Sequence, residues 1–184
     1  GDTVIIKQFL DLGAQNLLIP MVDTAEQAAE IVRAVRYPVD GVRGVGSALA
    51  RSARWNRVDG YLQRADETIS LTVQIESATA VSNAESIVAV DGVDAIFVGP
   101  SDLAASMGHL GQQSHPEVVA GVLRSIEAGR AAGKPVGVNA FVPADADRYI
   151  EAGAAFVAVG ADVAILARQS EALVDRFIPR SGDG

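Results

Sequence analysis

The 184 residues contain no cysteine, which excludes a disulfide scaffold, a thiolate metal site and a cysteine nucleophile. Basic residues are in deficit. Fifteen Lys and Arg face 23 Asp and Glu, for a net charge of −8 and a pI near 4.7. A nucleic-acid binder normally shows a basic face, so no nucleic-acid partner is expected. Long apolar runs are also missing: none approaches the roughly eighteen residues of a membrane span, and no basic-then-apolar leader opens the chain. The expectation is therefore a cytoplasmic protein with no membrane partner. What remains, 49% hydrophobic and 21% charged residues, reads as one soluble globular domain spanning residues 1–184.

Short β-rich runs alternate with segments of helical period. Strands are expected at Asn16 to Ile19, Ile69 to Ile75, Ala95 to Val98, Val136 to Asn139 and Ala155 to Val159, each short enough for a buried parallel strand. Asp23 or Thr24 can cap a helix running to about Tyr37, with Ala28, Ile31, Val32 and Val35 as its apolar stripe. Ser114 can cap a later helix that has Pro116 in its first turn and Gly133 at its end. Gly92 to Gly99 echoes Gly153 to Gly160, as expected where glycine ends a helix and the chain turns into the next strand. Alternation without hairpin signals implies a parallel α/β sheet, either a barrel or an open doubly wound sheet.

The stretch from Tyr37 to Asp66 breaks this rhythm. Gly41, Gly44 and Gly46 loosen it, and Arg43, Arg51, Arg54, Arg57 and Arg64 concentrate positive charge. Composition favours a long surface loop with solvated arginines. The other reading is contact with an anionic substrate or a neighbouring subunit. Trp55 reads as a packing anchor.

Thr72-Val73-Gln74-Ile75-Glu76 carries the clearest chemical signal. On a strand, Thr72, Gln74 and Glu76 share one face, and Leu71, Val73 and Ile75 the other. The polar face then points inward at the carboxyl end, where parallel α/β folds bind ligands. The next strand ends Gly99-Pro100-Ser101-Asp102, placing Ser101 and Asp102 among unpaired amides at a helix start. A helix cap is the plainer role for either residue, as it is for Asp162. Together the two strand ends bring Glu76 and Asp102 into one cleft. Two carboxylates without cysteine or a strand-end histidine suit a hard divalent cation, Mg²⁺ or Mn²⁺, that a 2-oxo acid can chelate. Paired carboxylates acting on a glycoside are the competing chemistry, disfavoured because aromatic platforms are lacking. His109 and His115, in a Gly/Gln/Ser loop, read as surface residues. Asp11 ends a helix, where an acid gains nothing from the dipole; a role in orienting a histidine is consistent with that.

The motifs Leu18-Ile19-Pro20-Met21-Val22, Gly41 to Arg51, Val73-Gln74-Ile75-Glu76, Phe97 to Leu103 and Phe156 to Gly160 resemble the class II, metal-dependent pyruvate aldolases of the HpcH/HpaI family. The resemblance covers nearly the whole chain. It implies a TIM (β/α)8 barrel of the phosphoenolpyruvate/pyruvate type, represented here by about its last five βα units. It also implies Glu76 and Asp102 as ligands of Mg²⁺, Mn²⁺ or Co²⁺. Gln74, Gly99, Pro100, Ser101 and Asp102 would hold pyruvate, Asn139 would lie near the aldehyde, and Asp11 would raise the basicity of a catalytic histidine. The implied reaction is reversible cleavage of a 4-hydroxy-2-oxo acid to pyruvate and an aldehyde. The implied assembly is a homohexamer, with a C-terminal helix at about 162–177 packing on a partner subunit. The family's base histidine and enolate-stabilising arginine have no counterpart here, and the chain opens on Gly1, so it reads as an N-terminally truncated piece. The alternative is a catalytically incomplete remnant that binds metal and 2-oxo acid, or only assembles with partners.

Overall fold

The computed structural model describes residues 1–178. α1 (Thr3–Asp11) is capped by Asp2, whose carboxylate accepts the Val4 and Ile5 amides at 2.8 and 2.9 Å. Gly13, at φ +102°, then turns the chain into β1 (Asn16–Ile19). Thr24 is the cap of α2 (Ala25–Val35), and the expected Ala28, Ile31, Val32, Val35 stripe is buried. This helix stops two residues short of Tyr37 with Arg36 extended, because the residues ahead of Pro38 are driven out of helical geometry. A long connection containing α3 (Tyr61–Arg64) leads to β2 (Ser70–Ile75). α4 (Ala78–Ser82) and α5 (Ala84–Val88) then carry the chain to β3 (Ala95–Val98). α6 (Pro100–Ser106) and α7 (Pro116–Ala131) precede β4 (Val136–Asn139). α8 (Pro143–Glu151) precedes β5 (Phe156–Ala158), and α9 (Asp162–Phe177) follows.

The strands form one sheet in the order β1-β2-β3-β4-β5, every neighbouring pair parallel. Its two faces differ. Leu71, Val73, Ile75, Ile96, Val98, Val136 and Val138 point to one face and share a single core with Ile31, Ile87, Val122 and Ile126 of the helices. Each such side chain contributes about 1.5–3 kcal/mol by leaving water. On the other face Leu18 and Phe156 are 48% and 45% exposed. A doubly wound sheet would cover both faces. Helices on one face, with strands in sequence order, make this an arc of a barrel.

Several local expectations change. His115, not Ser114, caps α7; the Ser114 hydroxyl instead donates to the Asp145 carboxylate. Gly99 occupies the cap position of α6, so Ser101 and Asp102 lie within its first turn. Asp162 is the first residue of α9 rather than its cap. Arg43 is no solvated loop residue but 0% exposed, whereas Trp55 is 62% exposed and anchors no core. Among the described residues no helix is long and apolar enough to cross a membrane.

Candidate active site

Strand register builds the inner face in layers. Gln74 of β2 lies beside Phe97 of β3, which lies beside Gly137 of β4, which lies beside Phe156 of β5. The two phenyl rings are 5.8 Å apart and tilted, and they fill the space over Gly137, where a Cβ would stand 2.1 Å from Phe156. Asn139 and Ala158 form the next layer toward the carboxyl end. The Asn139 side-chain oxygen is buried and has no hydrogen-bond partner.

Glu76 follows the last residue of β2 and is 6% exposed. Its Oε1 accepts from Gln74 Nε2 at 2.6 Å, and its Oε2 accepts from the Met21 amide at 3.0 Å. Met21 reaches that position in a left-handed conformation, φ +57°, a sparsely populated region for a non-glycine residue. The Val22 amide then donates to the Gln74 carbonyl at 3.2 Å, tying the segment beyond β1 to the end of β2. Asp23 is braced beside it, accepting from the Ser77 hydroxyl.

Burial raises the Glu76 carboxyl above its ordinary value; the Met21 N–H pulls it back, and the charge of Asp102 pushes it up further. Asp102 is exposed in the first turn of α6, at the strand end adjacent to that of Glu76. Neither carboxylate has an ion-pair partner among the described residues. The backbone ladder of α6 begins with the Leu103 amide on the Gly99 carbonyl, which leaves the Ser101 and Asp102 amides free of helical partners. The Ser101 hydroxyl accepts from Gln113 Nε2 at 2.7 Å, and Pro100 is buried.

Gln74, Glu76, Gly99, Pro100, Ser101, Asp102 and Asn139 therefore gather at the carboxyl ends of β2, β3 and β4. Asp11 does not join them. It ends α1 and precedes β1, so it stands at the amino end of the sheet, where its carboxylate accepts from Lys7 and, at 3.3 Å, from Arg43. Arg43 lies 4.6 Å from the Tyr37 ring and donates to the Tyr61 hydroxyl at 3.2 Å. The Met21 amide and the clearance at Gly99 are the parts that sequence reasoning missed. The first belongs to a motif visible as Leu18 to Val22, but an amide has no side-chain signature. Among the described residues, the one group of three or more potential metal ligands is His109, His115 and Glu117, which includes neither Glu76 nor Asp102.

Comparison with known proteins supplies the family. The family model described as HpcH/HpaI aldolase/citrate lyase matches residues 1–168. The hydroxypyruvate/pyruvate aldolase of Pseudomonas aeruginosa is 54% identical over 177 residues, covering 96% of this chain and 66% of that protein. The 4-hydroxy-2-oxo-heptane-1,7-dioate aldolase of Salmonella heidelberg is also 54% identical over 177 residues, covering 96% of this chain and 67% of its own length. The chain thus spans about two-thirds of these relatives. The crystal structure of an HpcH/HpaI aldolase/citrate lyase family protein from Burkholderia cenocepacia superposes with a TM-score of 0.90 at 41% identity, covering 95% of this chain and 69% of that one. By sequence and by fold, the chain belongs to the HpcH/HpaI aldolase/citrate lyase family.

Proposed function

We propose that this chain carries the metal- and pyruvate-binding residues of a class II pyruvate aldolase, which reversibly cleaves a 4-hydroxy-2-oxo acid to pyruvate and an aldehyde. One observation carries the reading: the Glu76 carboxylate is buried at the end of β2, Asp102 stands at the adjacent strand end, and no cationic side chain among the described residues pairs with either. Hydrogen bonds aim the buried Glu76 carboxylate, and Gly99 leaves it room. Burying the Glu76 carboxylate without a cationic partner is costly, and a cation bound between it and the exposed Asp102 offsets that cost. The oxygen-only donor set fits Mg²⁺ or Mn²⁺ held by Glu76 and Asp102, with Co²⁺ also able to enter. Bound there, the cation supplies Lewis-acid polarisation of a keto oxygen and stabilisation of enolate charge.

Gln74 fixes the Glu76 carboxylate through one amide hydrogen and has a second left for the substrate carboxylate. The Ser101 and Asp102 amides offer further donors to that carboxylate. Gly99 and Pro100 set the turn that presents them, and the Phe97–Phe156 pair forms the layer of the same sheet face beside Gln74. Asn139, with its unpartnered oxygen, faces the aldehyde half. Asp11 stands at the far end of β1 with Arg43 and takes no part in this site, and His109 and His115 stand in the α6–α7 connection. The relatives named hydroxypyruvate/pyruvate aldolase and 4-hydroxy-2-oxo-heptane-1,7-dioate aldolase support the reaction class. As a second part of the proposal, α9 packs on a partner subunit in a homo-oligomer, a hexamer by family resemblance.

The test measures pyruvate binding, and pyruvate release from a 4-hydroxy-2-oxo diacid, with and without Mn²⁺. Mn²⁺-dependent pyruvate binding that disappears in Glu76→Ala supports the reading. Pyruvate binding that is absent, or indifferent to Mn²⁺, overturns it.

A further inference from the structure

We propose a second metal site, of transition-metal type, formed by His109, His115 and Glu117 in the connection between α6 and α7. It shares no residue with the oxygen-only pair and is independent of the aldolase reading. Sequence places the three residues at intervals of six and two, and the loop converts that spacing into a cluster. Gly108 and Gly111 take left-handed φ values of +82° and +77°, conformations that glycine adopts without steric cost. The His109 amide donates to the Ala104 carbonyl at 2.7 Å, the Gln112 amide to the His109 carbonyl at 2.8 Å, and the His115 amide to the Gln112 carbonyl at 2.9 Å. These linked turns return His109 to the start of α7, where the two imidazoles stack with ring centres 3.6 Å apart.

The donor atoms converge. His109 Nε2 lies 3.1 Å from Glu117 Oε2, and one ligand atom from each of the three residues lies within 4.8 Å of the other two. Two ligands on a tetrahedral zinc ion, at bond lengths of about 2.0–2.1 Å, stand about 3.3 Å apart. The His109–Glu117 pair therefore already has the needed separation. Two edges remain. His115 Nδ1 accepts the Glu117 amide at 3.3 Å, which leaves its Nε2 as the free ligand atom. Near-parallel stacked rings cannot share one in-plane ion, so metal uptake turns the His115 ring out of the stack while Glu117, 68% exposed, follows. Two imidazoles and one carboxylate are the composition of open three-ligand zinc sites, with a fourth position for water. Imidazole also selects against Mg²⁺ and Mn²⁺ in favour of Zn²⁺, Ni²⁺ or Cu²⁺. The positive end of the α7 helix opposes a cation, and the Glu117 carboxylate offsets it, so binding is expected to be reversible rather than structural.

The experiment titrates Zn²⁺ into the tag-free chain by calorimetry and uses Co²⁺ absorption to report tetrahedral coordination. Wild type, His109→Ala and Glu117→Gln are compared, with circular dichroism as the fold control. Both variants are expected to lose one Zn²⁺ or bind it at least about tenfold more weakly, and to lose the tetrahedral Co²⁺ band. Their Mn²⁺ binding should be unchanged. If Zn²⁺ stoichiometry and affinity are the same in wild type and Glu117→Gln, or wild type takes up no Zn²⁺ beyond the Glu76 and Asp102 pair, the proposal fails and the cluster is only an ion pair with stacked rings. Glu117→Gln alters one exposed side chain, so it decides the matter even should His109→Ala misfold.

Discussion

A Cβ built on Gly99 would stand 2.7 Å from Glu76 Oε1 and 3.0 Å from Glu76 Cγ. The glycine at the end of β3 is thus the space that the carboxylate at the end of β2 occupies. Gly99 itself has an ordinary extended backbone, φ −103°, so its requirement is one of clearance and not of backbone conformation. Gly99→Ala should displace Glu76 from Gln74 and Met21, weaken Mn²⁺ binding at least about tenfold, and cost about 1–3 kcal/mol by overpacking. Calorimetry and urea denaturation of the same variant check both parts.

The raised Glu76 carboxyl has a definite consequence for stability. Because burial and Asp102 disfavour the ionised form, the folded chain holds this proton more tightly than the unfolded chain. Ionisation therefore costs stability as pH rises from the ordinary carboxyl value of 4.5 through the higher folded-state value. Glu76→Gln removes that cost, so its urea midpoint relative to wild type should improve between pH 4 and pH 7 in metal-free buffer. A relative midpoint that falls over this range would contradict the assignment.

Asp11 and Arg43 make the opposite case, a buried cation that has its partner. Arg43 is 0% exposed, and its Nε and Nη1 have no hydrogen-bond acceptor, so Asp11 and the Tyr61 hydroxyl provide its polar contacts together with the Tyr37 ring face. Asp11→Ala should destabilise the chain by about 3 kcal/mol, the cost of an uncompensated buried charge. Its Mn²⁺ affinity should change little, because Asp11 stands at the other end of the sheet. Thermal melts with and without Mn²⁺ separate the two effects.

The alternation of Leu71, Val73 and Ile75 with Thr72, Gln74 and Glu76 was legible in the sequence because a strand has period two. From it came the buried face, the polar face and the carboxyl-end site. Short apolar runs placed the strands to within a residue, and helix-ending glycines stand before all of them but β2. Tyr37 to Asp66 was not legible, since composition counts five arginines alike and does not reveal that Arg43 is enclosed by two tyrosines and Asp11 while Trp55 lies outside. Nor does any local pattern say that Ser114 would prefer Asp145, 31 residues away, to the cap of α7. Whether the sheet was a barrel arc or doubly wound depended on which face the helices cover, a long-range fact.

Helix α9 has no buried residue, and Val163, Ile165, Leu166, Leu173, Val174 and Phe177 are all exposed. A helix with this much uncovered apolar side chain is expected to pack against another surface. If that surface is a partner subunit, Leu166→Asp combined with Leu173→Asp should shift the protein to a smaller species in sedimentation equilibrium. An unchanged assembly would remove α9 from the interface.

The central claim is that Glu76 and Asp102 together hold a divalent cation. The most direct measurement is Mn²⁺ titration by calorimetry on wild type, Glu76→Ala and Asp102→Ala, with circular dichroism confirming the fold. One Mn²⁺ bound by wild type and lost in both folded variants is the expected result. The same affinity in both variants as in wild type would contradict the account.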